Sequence, residues 1–143
     1  LMASLQAGWV QNMKVPGIAH ALAHQMGKYH IAHGLACGYF LSPSLLYNSQ
    51  DSRVALRYNE FAAAVGVTNY AGLQQAIQAL IHSFLADDTF AQAWNHCDQT
   101  WKQHHSTIIE NALHDICAKA NPVPLAPEKM QTLLINEQVS TCL

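Results

Sequence analysis

Between Gly17 and Gly38 the chain reads GIAHALAHQMGKYHIAHGLACG, with four histidines inside fourteen residues and Lys28 as the single charged side chain. A segment so poor in charge has to bury much of its surface. Its Ala, Leu and Ile recur at helical spacing. His20 and His24 stand four apart, so on a helix both imidazoles project from one face. Gly27 interrupts the run and is read as the left-handed residue that closes a helix, with Lys28 to Ala32 as the loop. His33 then opens a new run, HGLACGYF, from which a third imidazole can turn back toward the first two. Neutral imidazole is the commonest protein ligand for zinc, iron and copper. A lone buried histidine is ordinarily a packed core residue, but three in this arrangement favour a metal. The zincin signature is excluded, because Ala21 stands where it needs Glu.

The rest of the chain is also helical in pattern, with no strand alternation, and an all-α fold of antiparallel helices forming a multi-helix bundle is expected over residues 1–143 as one domain. A first helix spans Leu1 to Met13. Ser42-Pro43-Ser44 lies inside the helix that runs from Gly34 to Tyr47, where proline predicts a kink or break. Asp51-Ser52 caps a helix from Arg53 to Val65, with Val54, Tyr58, Phe61 and Val65 on one stripe, and Gly66 ends it. Asn69 caps a helix from Ala71 to Leu85 with Leu73, Ile77, Leu80, Ile81 and Phe84 in period. Asp87-Asp88-Thr89 reads as a loop and N-cap. A polar-faced helix follows from Trp101 to Lys119, and its His104, His105 and His114 read as a solvated face. Asn121-Pro122 ends that helix. A last helix, Glu128 to Ile135, starts on Pro127, and the tail after Asn136, with Cys142, is expected to fray.

AHALAHQMG, a short loop and AHGLACGYFLSP, together with Asp115-Ile-Cys117-Ala-Lys-Ala-Asn121-Pro122 far downstream, resemble the C-terminal helical domain of the iron-containing (group III) alcohol dehydrogenases. The family patterns are an H-x-x-x-H helix, a Gly and Pro-His-Gly-x-Ala, and later D-x-C-x-x-x-N-P. The resemblance implies a divalent metal, Fe²⁺ with Zn²⁺ the alternative, held by one Asp and three His. His20 and His33 match two of those histidines. His24 matches a residue beside the nicotinamide and substrate, and so carries the catalytic and cofactor-binding assignment. Cys117 matches a cysteine in the pocket wall on the cofactor side. The family's helix after Asn69 buttresses the metal helices. This sequence departs from the pattern in a loop one residue shorter between His24 and His33, in Ala32 for Pro, and in Val123 for Arg.

The resemblance further implies NAD(P), a small alcohol or aldehyde substrate, a homo-oligomer and a nucleotide-binding domain ahead of this one. The chain is therefore expected to be a C-terminal fragment, inactive alone, from a cytoplasmic parent.

Composition narrows the classes. Half the residues are hydrophobic and 11% are charged, against about a quarter charged in ordinary soluble domains, so part of the surface should meet another domain or subunit. A formal charge of −2 with seven Lys plus Arg provides no basic stripe, which argues against nucleic acid. No apolar run is long enough for a membrane span, and the basic start of a signal peptide is absent. The four cysteines have no C-x-x-C spacing, as suits reduced thiols. Two other readings stand beside the dehydrogenase. One is an HD-type metal phosphohydrolase built on His114-Asp115. The other is a non-enzymatic helical interaction module whose histidines only pack.

Overall fold

A computed structural model describes residues 1–85, 92 and 96–135. The Asp87-Asp88-Thr89 cap, Trp94, and the tail after Asn136 with Cys142 lie outside the described residues. The described residues form helices and no strand. The α-helices are α1 (Met2–Met13), α2 (Ile18–Met26), α3 (His33–Asn48), α4 (Ser52–Ala64), α5 (Tyr70–Leu85), α6 (His105–His114), α7 (Ile116–Lys119) and α8 (Pro127–Ile135). Two 3₁₀ turns, Gly27–Tyr29 and Gln99–Gln103, supplement them.

α2 is the centre of the fold. Ile18, Ala21, Leu22, Ala23 and Met26 are all buried, and the helix packs against α3, α6 and α7. Around it the core gathers Phe40, Trp101, Ile108, Met130 and Leu133. The histidine-bearing helix is thus firmly anchored among the described residues. One side chain fixes where it begins. Asn121 Oδ1 accepts from the Ile18 N–H at 3.2 Å and from Asn48 Nδ2 at 3.2 Å. Asn121 Nδ2 donates to Asn48 Oδ1 at 2.7 Å and to the Val123 carbonyl at 2.8 Å. Both lone pairs and both protons of the amide are used. Gly17 lets this amide approach, since a Cβ there would lie 2.9 Å from Asn121 Oδ1. The connector after Asn121 is held as well, by Tyr47, whose hydroxyl donates to the Pro124 carbonyl at 2.7 Å.

Asp51 caps α4 as expected, its carboxylate accepting from the amides of Arg53 and Val54. Asn69 caps α5 through the Gly72 amide, and Gly66 leaves α4 at φ 79. Three expectations are corrected. Gly27 is right-handed, at φ −57, and begins a 3₁₀ turn; the left-handed residue is His30 at φ 60. α3 runs unbroken through Pro43, because Ser42, Pro43 and Ser44 are buried and Gln74 and Gln78 of α5 both reach Ser42 Oγ. The expected helix from Trp101 to Lys119 is broken at His104 and again at Asp115. The α4 and α5 helices stand as expected, with their apolar stripes only partly covered: Val54 and Tyr58 are half-buried, whereas Phe61, Val65, Leu80 and Phe84 are exposed.

The two glycines give a paired expectation. Gly66→Ala should cost about 1 kcal/mol, the steric penalty of a Cβ in the left-handed region. Gly27→Ala, in a right-handed conformation with nothing within 4 Å of the added methyl, should be neutral or stabilise by a few tenths of a kcal/mol. Urea midpoints of the two variants decide it, and equal losses would contradict the backbone assignment.

Candidate metal centre

α2 presents His20 and His24 on one face, and the turn through His30 returns the chain so that His33 is the first residue of α3. The three rings meet. Centroids are 4.7 Å apart for His20 and His24, 4.6 Å for His20 and His33, and 5.3 Å for His24 and His33. One donor nitrogen from each lies within 4.8 Å of the other two. His20 is half-buried while His24 and His33 are open to solvent, so a ligand can reach the cluster. Burial lowers the His20 pKa, and the neighbouring His33 and His24 lower it further against the pull of Asp115. His20 is therefore neutral near pH 7, the form that binds metal.

Two residues outside the sequence assignments complete the site. Cys37, one turn after His33 on α3, sets its sulfur 3.5 Å from His33 Nε2 and 3.7 Å from His20 Nδ1. Asp115, in the break between α6 and α7, places Oδ2 2.8 Å from His24 Nδ1. Its Oδ1 caps α7 through the Cys117 N–H, also at 2.8 Å. Burial opposes ionisation of Asp115, but the Cys117 amide and His24 more than offset it and hold the carboxyl below its ordinary pKa. Donor atoms of His24, Asp115 and Cys117 lie within 4.8 Å of one another, so Cys117 borders the cluster through Asp115. A D-x-C run at a helix start is an N-cap signal. Nothing local shows that the same carboxylate reaches α2.

Burial, the Asp115 hydrogen bond and the Asp115 charge push the Cys117 thiol up to about 11. Three units below that value, at pH 8, about one molecule in a thousand carries the thiolate, which is the nucleophile. Cys117 is expected to resist iodoacetamide in the native chain and to label promptly in denaturant, read by peptide mapping. Native labelling at a rate like that of a free thiol would overturn this.

His104, His105 and His114 lie away from the cluster. His104 Nδ1 is 3.2 Å from the Tyr29 hydroxyl and His105 packs near Trp101. Among the described residues, no group of three or more metal-type donors includes any of the three. The HD reading needs His114 beside Asp115 as a ligand pair, whereas Asp115 is committed to His24 and Cys117.

The sequence profile of the Fe-containing alcohol dehydrogenase family, C-terminal, matches residues 1–137; the chain belongs to that family. It is 34% identical over 140 residues to 1-propanol dehydrogenase PduQ of Citrobacter freundii, covering 92% of this chain and 38% of that one. It is 27% identical over 133 residues to the NADPH-dependent butanol dehydrogenase of Clostridium saccharobutylicum, covering 89% and 34%. The fold is similar to that of an iron-containing alcohol dehydrogenase from Thermococcus thioreducens, with a TM-score of 0.69 and 24% identity over 84% of this chain and 31% of that one. The chain thus spans less than two fifths of the length of these relatives. No helix among the described residues is long and apolar enough to cross a membrane.

Proposed function

We propose that this domain is the metal-bearing half of a NAD(P)-dependent, iron-containing alcohol dehydrogenase acting on a small alcohol or aldehyde. The observation that carries the reading is the convergence of His20 and His33 from two separate helices on one solvent-open cluster. The donors suit the ion, since neutral imidazole serves Fe²⁺ and Zn²⁺ alike. His20 and His33 hold it, His24 faces the nicotinamide and substrate, and Cys117 walls the pocket. A bound divalent ion supplies Lewis-acid polarisation of the substrate oxygen, with the nicotinamide as hydride carrier. The chain's own residues orient the oxygen and manage its proton. Burial of α2 makes His20 a fixed point, and the Cys37 sulfur meets one ring nitrogen of each of His20 and His33.

Within this reading the remaining metal ligands, on an earlier helix, and the nucleotide-binding domain lie outside residues 1–143. Leu5, Trp9, Val10 and Met13 of α1 are all more than 60% exposed and supply an apolar face for that domain, with a second copy of the chain as the alternative. Metal sites that hold tightly use three or four protein ligands. The 143-residue chain should therefore bind Zn²⁺ or Fe²⁺ weakly and form no NADH from short primary alcohols. Calorimetric titration tests the assignment: His20→Ala and His33→Ala should each abolish the binding heat. Binding unchanged in both variants would sink it, and turnover by the chain alone would show the site complete without further ligands.

A further inference from the structure

We propose that Asp115 is a positioning residue that fixes the tautomer of His24, holding its proton on Nδ1 and leaving the Nε2 lone pair free for the substrate. The inference rests on the dehydrogenase reading for its use, but its geometry stands independently. The carboxylate is engaged on both sides, by the amide and thiol of Cys117 and by His24. Oδ1 accepts the Cys117 amide at 2.8 Å and so locks the carboxylate plane as the N-cap of α7. Oδ2 lies 2.8 Å from His24 Nδ1. An ionised carboxylate only accepts hydrogen bonds, so the proton between them belongs to His24. A neutral imidazole that donates from Nδ1 has an unprotonated Nε2.

Asp115 is only 15% exposed while His24 is 40% exposed. The orienting group is therefore shielded and the oriented ring is accessible, as a residue that must meet a ligand requires. Free Nε2 makes His24 a proton acceptor. In the oxidation of an alcohol Nε2 would take the hydroxyl proton, with the hydride carried by the nicotinamide of the proposed function. The imidazolium so formed keeps its Nδ1–H on the Asp115 carboxylate. With the opposite tautomer Nε2 would carry a proton and could take none.

The test is read on the ring itself. Two-bond ¹H–¹⁵N correlation spectra of the 143-residue chain, with His24 assigned through its own Cβ, are recorded at about pH 8.5, where imidazole is neutral. Wild type should show His24 protonated on Nδ1, with Nε2 as the downfield, unprotonated nitrogen. Asp115→Asn separates positioning from capping. Its side-chain oxygen still caps Cys117, while its NH₂ now donates toward Nδ1 and should exchange the two nitrogen shifts. A wild-type His24 protonated on Nε2 overturns the proposal without any variant, and so does a folded Asp115→Asn chain whose His24 keeps the wild-type shifts. Failure here leaves the His20 and His33 metal titration untouched, so the proposal and the dehydrogenase reading can fall separately.

Discussion

Asn121→Ala should destabilise the chain by about 3 kcal/mol, a large share of the roughly 5–15 kcal/mol that holds an ordinary domain together. The estimate follows from what the amide leaves behind. Its removal orphans the Ile18 N–H at the start of α2 and takes one partner from each polar end of buried Asn48, which keeps its hydrogen bond to Tyr58. Each buried polar group left unpaired costs about 1–3 kcal/mol, and water can reach part of the space, which caps the sum. Asn121→Asp is the sharper comparison. It keeps an acceptor for Ile18 but loses the donor to Asn48 and Val123, so it should also destabilise, with a loss that grows as the carboxylate ionises. Urea unfolding followed by circular dichroism measures both. A loss below about 0.5 kcal/mol for Asn121→Ala, the range of ordinary surface changes, would mean that the α2–α3 junction holds without the amide.

Asn121 also marks where sequence reading stops. Asn121-Pro122 is legible as a helix end, but its partners Asn48 and Ile18 stand 73 and 103 residues away, and no local pattern connects them. Local signals did survive folding. Asp51, Asn69 and Gly66 act through groups within a few residues, so their caps and turn appear where they were expected. Pro43 failed as a breaker for the opposite reason. Proline costs about 3 kcal/mol in a helix interior, and α3 offsets it by burying Ser42 to Ser44 under α5. Tertiary packing won there.

The polar-faced helix broke at Asp115, because an Asp side chain can serve its own backbone in place of the helix. At φ −67 and ψ 144 it starts α7 anew. That break is what carries the carboxylate to His24. Among the site residues, His20 and His24 are legible from their spacing on one helix, and His33 from the family pattern. Cys37 is not, since on α3 it reads as one more small apolar residue, and its place between two imidazoles depends on how α2 and α3 pack.

Divalent metal binding by the chain is expected to weaken up to about a hundredfold for each pH unit below roughly 6, because two imidazoles must each shed a proton to ligate. His20, whose pKa is lowered chiefly by burial, stays neutral to a lower pH than a free imidazole. Its protonation therefore adds to the slope later. The dependence should steepen toward acid as His20 titrates. The sign is fixed: a depressed histidine pKa extends metal binding toward acid. Competition of Zn²⁺ between the chain and a chromophoric chelator, repeated across pH, gives the slope directly. A wild-type dependence that never exceeds tenfold per unit would mean that a single imidazole ligates, and the pairing of His20 with His33 would have to be abandoned.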